Sequence, residues 1–184
     1  MKKTTPHYQG GSENKTAFVF SCPGKCEEKE CRPVAKTTGK NLETLMKILN
    51  EKLKSDDFIR SKVTITNSWA RVEYPAKTGR TEAKKDEILK EKNLLRLLDE
   101  VKDIEKMIIC SGNNAKLVVS ALLEKKMLNN KLKIFFLPHL GTRGINMKIK
   151  KDAAGDIIKP GDENATYRRL EAIASDIISK IKAK

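Results

Sequence analysis

Two short segments constrain this fold more than any other part of the chain. Phe18–Gly24 and Phe135–Gly141 are runs of β-favouring residues, Phe-Val-Phe and Phe-Phe-Leu, that stop abruptly in proline and glycine. Such runs read as buried strands followed by sharp turns. In an open α/β sheet, ligands bind beyond the carboxyl ends of the strands. The Pro23-Gly24 turn and His139 are therefore expected to face one crevice, although they lie far apart in sequence.

The rest of the chain supplies what such a sheet needs. Thr16–Ser21, Lys62–Asn67, Lys106–Ser111 and Lys131–Leu137 read as four strands. Between them, apolar residues recur at helical spacing. Leu42, Leu45, Met46, Leu49 and Leu53 mark an amphipathic helix over Gly39–Leu53. Thr81 is a candidate N-cap for a helical region whose buried face is Leu94, Leu97, Leu98 and Val101. Ala115, Val118, Val119 and Leu122 mark another helix. A last one starts near Asp162 and buries Leu170, Ile173, Ile177 and Ile181. Strands alternating with helices predict an α/β protein, a three-layer α/β/α sandwich around a mostly parallel four-stranded sheet. Residues 1–15 are polar and read as a flexible lead-in, with a single domain over 16–184. Ser68–Arg80 reads as a long loop, and Lys148–Pro160 as a basic stretch forming a small hairpin or a mobile segment.

The chain has 184 residues, enough for one substantial core. No apolar run approaches the ~18–20 residues that span a bilayer, and no apolar stretch follows the charged start as a signal peptide requires. The expectation is a cytoplasmic, nucleoid-associated protein with no membrane partner. Lys plus Arg number 38 against 24 Asp plus Glu, a formal net charge of +14. A solvated lysine-rich surface would account for this, but so would a polyanion partner, because neutralising phosphates releases counterions. Charge does not separate DNA from RNA.

Cys22, Cys26, Cys31 and Cys110 do not suggest a disulfide framework in a cytosolic chain. The Cys22-x3-Cys26-x4-Cys31 spacing could hold a metal but lacks the tight pairs of common zinc sites, so no metal and no cofactor are expected, with these three cysteines left open as ligands. Cys110 falls in an apolar run and reads as a buried thiol.

Four pieces in order resemble the uracil-DNA glycosylase superfamily, especially its compact microbial branches. Pro23-Gly24, the acidic Glu27 and Glu28, Arg32-Pro33, Gly39 and the Leu-rich helix match that family's first loop and following helix. Ile65-Thr-Asn67 looks like its second strand, ending in an asparagine. Ile108–Gly112 followed by Ala115 looks like its third strand and turn, and Pro138-His139 like its final motif. The resemblance covers about Phe18 to Asn146. It implies an enzyme that hydrolyses the N-glycosidic bond of an altered base flipped out of DNA. Asn67 would read the base through its carboxamide, and its plain structural alternative is an Asx turn. His139 would donate a hydrogen bond to the departing base, an oxyanion-type role, where a loop histidine is the alternative.

The chain departs from that pattern in two places. Ser21-Cys22 stands where the superfamily often has Asp, Asn or Glu before the proline to position water. Glu27 and Glu28 can substitute, unless they are merely exposed acids. Val34 stands where a base-stacking phenylalanine often follows Arg-Pro, which leaves room for a larger or modified base. The candidate site is then His139, Glu27 and Ser21 for catalysis, with Cys22, Pro23, Gly24, Val34 and Asn67 around the base. The resemblance extends to DNA contacts at Thr142 and Arg143, with Ile145 of the same predicted loop as a wedge into the stack; a surface arginine and a loop hydrophobe tucked against the core are the equal alternatives. Trp69 and Tyr74 beside Arg71 and Arg80 can stack on exposed bases, although a lone tryptophan more often packs. The expected partner is DNA and the expected state a monomer. Two rival readings remain: a non-catalytic nucleobase or nucleic-acid binder of the same fold, and a hydrolase of free nucleotides.

Overall fold

The computed structural model describes residues 4–159 and 161–183. The order of elements begins with β1 (Tyr8–Gln9), β2 (Thr16–Phe20), α1 (Lys25–Glu30), α2 (Lys36–Leu53) and β3 (Thr64–Asn67). It continues with α3 (Pro75–Thr78), α4 (Lys85–Ile88), α5 (Glu91–Val101), β4 (Met107–Ser111) and α6 (Asn113–Glu124). It ends with β5 (Lys133–Leu137), α7 (Thr142–Lys148) and α8 (Ala165–Lys182). No helix among the described residues is long and apolar enough to cross a membrane.

The strands form one sheet in the order β1-β3-β2-β4-β5. The four longer strands run parallel, and β1 is antiparallel to β3. β2 lies at the centre, with Phe18 opposite Ile65 on one side and Ile109 on the other. Every residue of β2, β3 and β4 is buried. That is why these strands read as continuous apolar runs rather than as alternating ones.

Alternation along β2 separates two cores. Phe18 and Phe20 pack on one face with Leu42, Leu45 and Leu49 of α2 and Leu170, Ile173 and Ile177 of α8. Ala17 and Val19 pack on the other face with Leu94 and Leu97 of α5 and Val118 and Leu122 of α6. The three-layer arrangement follows. Each fully buried side chain of the Leu, Ile or Phe kind contributes about 1.5–3 kcal/mol.

The sheet has five strands rather than the expected four, because the lead-in is not loose. Gly11 is buried against β3: a Cβ there would overlap the Lys62 carbonyl, and its N–H donates to Thr64 Oγ1 at 3.2 Å. The His7 ring lies 3.2 Å from the Glu100 carboxylate on α5. A two-residue strand has too little periodicity to be seen in sequence.

Thr81 caps no helix. The next helix, α4, starts from Lys84, whose N–H is taken by Glu87 at 2.8 Å. The last helix begins at Ala165 rather than near Asp162, whose carboxylate instead accepts the Lys159 N–H. The basic stretch after α7 includes a bridge between Lys151 and Ile157, a small hairpin turning near Gly155. Pro160, at the end of the predicted stretch, lies outside the described residues.

From β2 the chain passes through α2 to β3 on one side, then returns through α5 to β4 on the other side. The order therefore switches between β2 and β4. Their loops diverge there and open a crevice at the carboxyl ends.

Candidate functional site at the carboxyl ends of the strands

A cavity of about 190 Å³ lies at that crevice, lined by Phe20, Cys22, Gly24, Glu27, Val34, Thr38, Asn67 and His139. It draws residues from the ends of β2, β3 and β5, the first and last of which belong to the two Pro/Gly punctuated segments. Asn67, the last residue of β3, is paired with Phe20 and only 2% exposed. In the orientation that satisfies both ends of its carboxamide, the nitrogen donates to the His7 carbonyl at 3.2 Å and the oxygen accepts the Cys22 N–H at 3.3 Å. One N–H and one lone pair remain for a ligand. The side chain is held rigidly, and it ties the N-terminal segment to the loop after β2.

Glu27 organises that loop. Its Oε2 accepts the Gly24 N–H at 2.9 Å and its Oε1 accepts the Ala35 N–H at 2.8 Å. One carboxylate thus holds both ends of the segment that walls the cavity. Between them Val34 sits in the left-handed region at φ 53, a costly conformation for a β-branched residue. Arg60 stabilises it by donating to the carbonyls of Pro33 at 2.5 Å and Val34 at 3.4 Å. Val34 is 2% exposed and faces the cavity, where it presents an apolar wall without an aromatic ring.

His139 follows β5. The Gly141 N–H donates to its Nδ1 at 2.9 Å, so Nδ1 carries no proton and Nε2 is the donor. The residue keeps accessible surface, yet enough protein surrounds the ring for desolvation to lower its pKa below the ordinary histidine value. The nearby charges of Glu82 and Glu27 oppose that shift without cancelling it. The neutral Nε2–H form is favoured.

Ser21 lies beneath. Its hydroxyl is buried without a hydrogen-bond partner. A Cβ built on Gly112 would stand 3.3 Å from Ser21 Oγ and 3.5 Å from His139 Cδ2, so Ser21 and His139 meet at this glycine. The Cys22 thiol donates to the Thr81 carbonyl at 3.4 Å. Burial, with the nearby carboxylate of Glu82, pushes its pKa up to about 12, so it stays protonated and is no base.

Other sequence candidates fall elsewhere. Pro23 is buried, and its carbonyl accepts the Glu73 N–H at 2.9 Å, which makes it a structural part of the loop. Ile145 is fully buried in the core under α7, so it cannot act as a wedge. Arg80 is not a free cation: it donates to Glu73 at 2.6 and 2.9 Å and to Glu87 at 2.5 and 3.1 Å. Tyr74 donates to Glu28 at 3.0 Å, and Lys77 also pairs with that carboxylate, so Glu28 is occupied outside the cavity.

Thr142 and Arg143 are exposed at the start of α7, beside His139 in sequence. A Cβ on Gly144 would overlap the His139 carbonyl, so that first turn rests directly on the histidine segment. Arg71 lies over the Trp69 ring at 5.7 Å.

Sequence reasoning missed Phe20, Thr38 and the bracing by Arg60. In the sequence Thr38 shows only as a polar residue just ahead of the predicted helix Gly39–Leu53. No group of three or more His, Cys, Asp or Glu among the described residues is arranged to hold a metal ion. No protein-family model matches this chain, and no curated protein matches it.

Proposed function

We propose that this protein excises an altered base from DNA by hydrolysing its N-glycosidic bond. The observation that carries the reading is the convergence of Asn67 and His139 on one cavity at the strand ends. A rigid carboxamide with a spare donor and acceptor suits the edge of a flipped pyrimidine-like base. A neutral histidine that carries its proton on Nε2 suits the oxygen that gains charge as the base departs. Glu27 keeps unused lone pairs beside its two backbone partners and would orient the attacking water, with the unpartnered Ser21 hydroxyl nearby. Thr142 and Arg143 would hold phosphate next to the cavity mouth, and the +14 charge favours such a partner. The test is an abasic-site cleavage assay over oligonucleotides carrying uracil, hypoxanthine, xanthine and modified pyrimidines. Abasic product from any of them supports the proposal.

A second reading is a non-catalytic binder of nucleobases or nucleic acid. The engagement of Glu27 by two backbone N–H groups and the protonated Cys22 thiol favour it, since both reduce the cavity's capacity to activate water. Binding without abasic product would select this reading. Turnover of free nucleotides alone would select a nucleotide hydrolase.

A further inference from the structure

A second and larger cavity, of about 310 Å³, opens two residues beyond Asn67, where Trp69 follows the end of β3. Its charged lining is mostly cationic, Arg71, Lys90, Lys92 and Arg96 against the single acid Glu87, beside Trp69, Ala70 and Asn93. That acid is already spent, since Arg80 and the Lys84 N–H hold its carboxylate. Arg96 is turned inward to Glu100 and to the carbonyls of Asn67 and Ser68, and its buried Nε has no partner. Arg71, Lys90 and Lys92 form no ion pair among the described residues.

Two further features point the same way. The 11-residue helix α5, with Lys90 as its N-cap and no side-chain cap, starts at the wall formed by Lys90 and Lys92, and its first N–H groups carry partial positive charge beside the Glu91 carboxylate of the same turn. The Trp69 indole is fixed by Nε1 donating to Glu73 at 2.9 Å and offers its face to the Arg71 guanidinium. An aromatic face, a planar cation and two unpaired lysines at a helix start together match a nucleobase carrying a phosphate.

We infer that this cavity binds a nucleoside monophosphate unit. The base stacks on the Arg71 guanidinium that lies over Trp69, and the phosphate sits at Lys90, Lys92 and the α5 N-terminus. The inference deepens the DNA reading, in which the unit would be the nucleotide flanking the flipped one, but it rests on separate residues. The same chemistry fits a free nucleotide.

Trp69 is the only tryptophan of the chain, so its emission reports on this cavity. The full chain is titrated with uridine 5′-monophosphate, uridine, inorganic phosphate and a ten-residue oligothymidylate. Saturable quenching is expected, with the monophosphate binding at least about tenfold tighter than uridine or phosphate alone. Replacing both Lys90 and Lys92 by alanine should weaken it by about tenfold or more, and both are exposed enough for the fold to persist. Tighter binding of the oligonucleotide than of the monophosphate assigns the unit to a strand, and equal or weaker binding to a free nucleotide.

The inference is overturned by an unresponsive Trp69, or by phosphate binding as tightly as the monophosphate. It is also overturned by quenching that survives the lysine replacements but is lost in His139→Ala. A silent Trp69 with abasic product formed removes this subsite and leaves the excision reading. A responsive Trp69 without abasic product does the reverse.

Discussion

The backbone N–H of Gly141 lies 2.9 Å from His139 Nδ1, and this contact decides which ring nitrogen carries the proton. Protonating Nδ1 would set two N–H groups against each other. Together with desolvation, this makes the neutral ring the native form. The folded-state pKa is depressed, so the unfolded chain binds the proton more readily. The histidine's share of stability is therefore full above about 6.5 and is lost as pH falls from there through the folded pKa. Urea midpoints compared at pH 7.5 and pH 5 should fall more in the wild type than in His139→Asn. Equal falls would mean that the ring titrates freely.

The contact of Ser21 and His139 at Gly112 yields a second expectation. Gly112 has φ 95 and ψ 169, a region almost confined to glycine, and a Cβ would stand 3.3 Å from Ser21 Oγ. Gly112→Ala should lower stability by about 1–3 kcal/mol in urea unfolding. It should also shift the His139 ring resonances in a two-dimensional NMR spectrum. An alanine variant with unchanged midpoint and unchanged resonances would refute the close approach.

Glu27 holds the two ends of the cavity wall, and its structural and catalytic roles separate by substitution. Glu27→Ala strips partners from two backbone donors, and losing such a partner costs about 1–3 kcal/mol where the donor stays buried. Glu27→Gln keeps one acceptor oxygen and should recover part of that loss. If Glu27 also orients water, the glutamine variant should show base excision reduced beyond its change in stability. Activity tracking stability across both variants would confine Glu27 to the loop.

The Glu73 carboxylate, 2% exposed, is held at a pKa of about 2, chiefly by hydrogen bonds from Arg80, with a further one from Trp69. A depressed carboxylate contributes stability that is full above its ordinary value near 4.5 and lost as pH falls towards about 2. Arg80→Met should therefore lower the urea midpoint at pH 7 and flatten its dependence on acid over that window. An unchanged midpoint would free Arg80 for the DNA contact that the sequence suggested.

Much of the fold was legible because its strands are buried on both sides. Phe18-Val-Phe and Ile108-Ile-Cys show no alternation and end in turn residues, which leaves few alternatives. The helices α2 and α8 show through their leucine and isoleucine stripes. Elements of two to four residues, such as β1, α3 and α4, are too short to leave such a pattern. At the site, Pro138 and Gly141 marked the strand end that carries His139, whereas Asn67 was marked only by its place in the family resemblance. What the sequence could not show was who is already occupied. Arg80 stands seven residues from each of Glu73 and Glu87, a spacing that suggests no contact until the chain folds back. Ile145 in a predicted loop had equal claims as wedge and as core, and the formation of α7 turned it inward.

Assigning roles around the cavity requires three variants measured together. If His139 Nε2–H stabilises the departing base, His139→Ala should slow base release by on the order of 10²–10³, about 2.7–4 kcal/mol, and leave DNA binding intact. Asn67→Ala should lose discrimination among bases, and it should also lose stability, because the His7 carbonyl and the Cys22 N–H lose their partner. Cys22→Ser should stay near wild type in rate, since a thiol pushed up to about 12 transfers no proton near neutrality. Arg143→Ala should weaken binding to unrelated sequences alike and reduce the log–log salt slope by about 1. Single-turnover rates and salt titrations on the same preparations decide these points. A dead Cys22→Ser beside a near-normal His139→Ala would reverse the assignment of roles while leaving the cavity where the fold puts it.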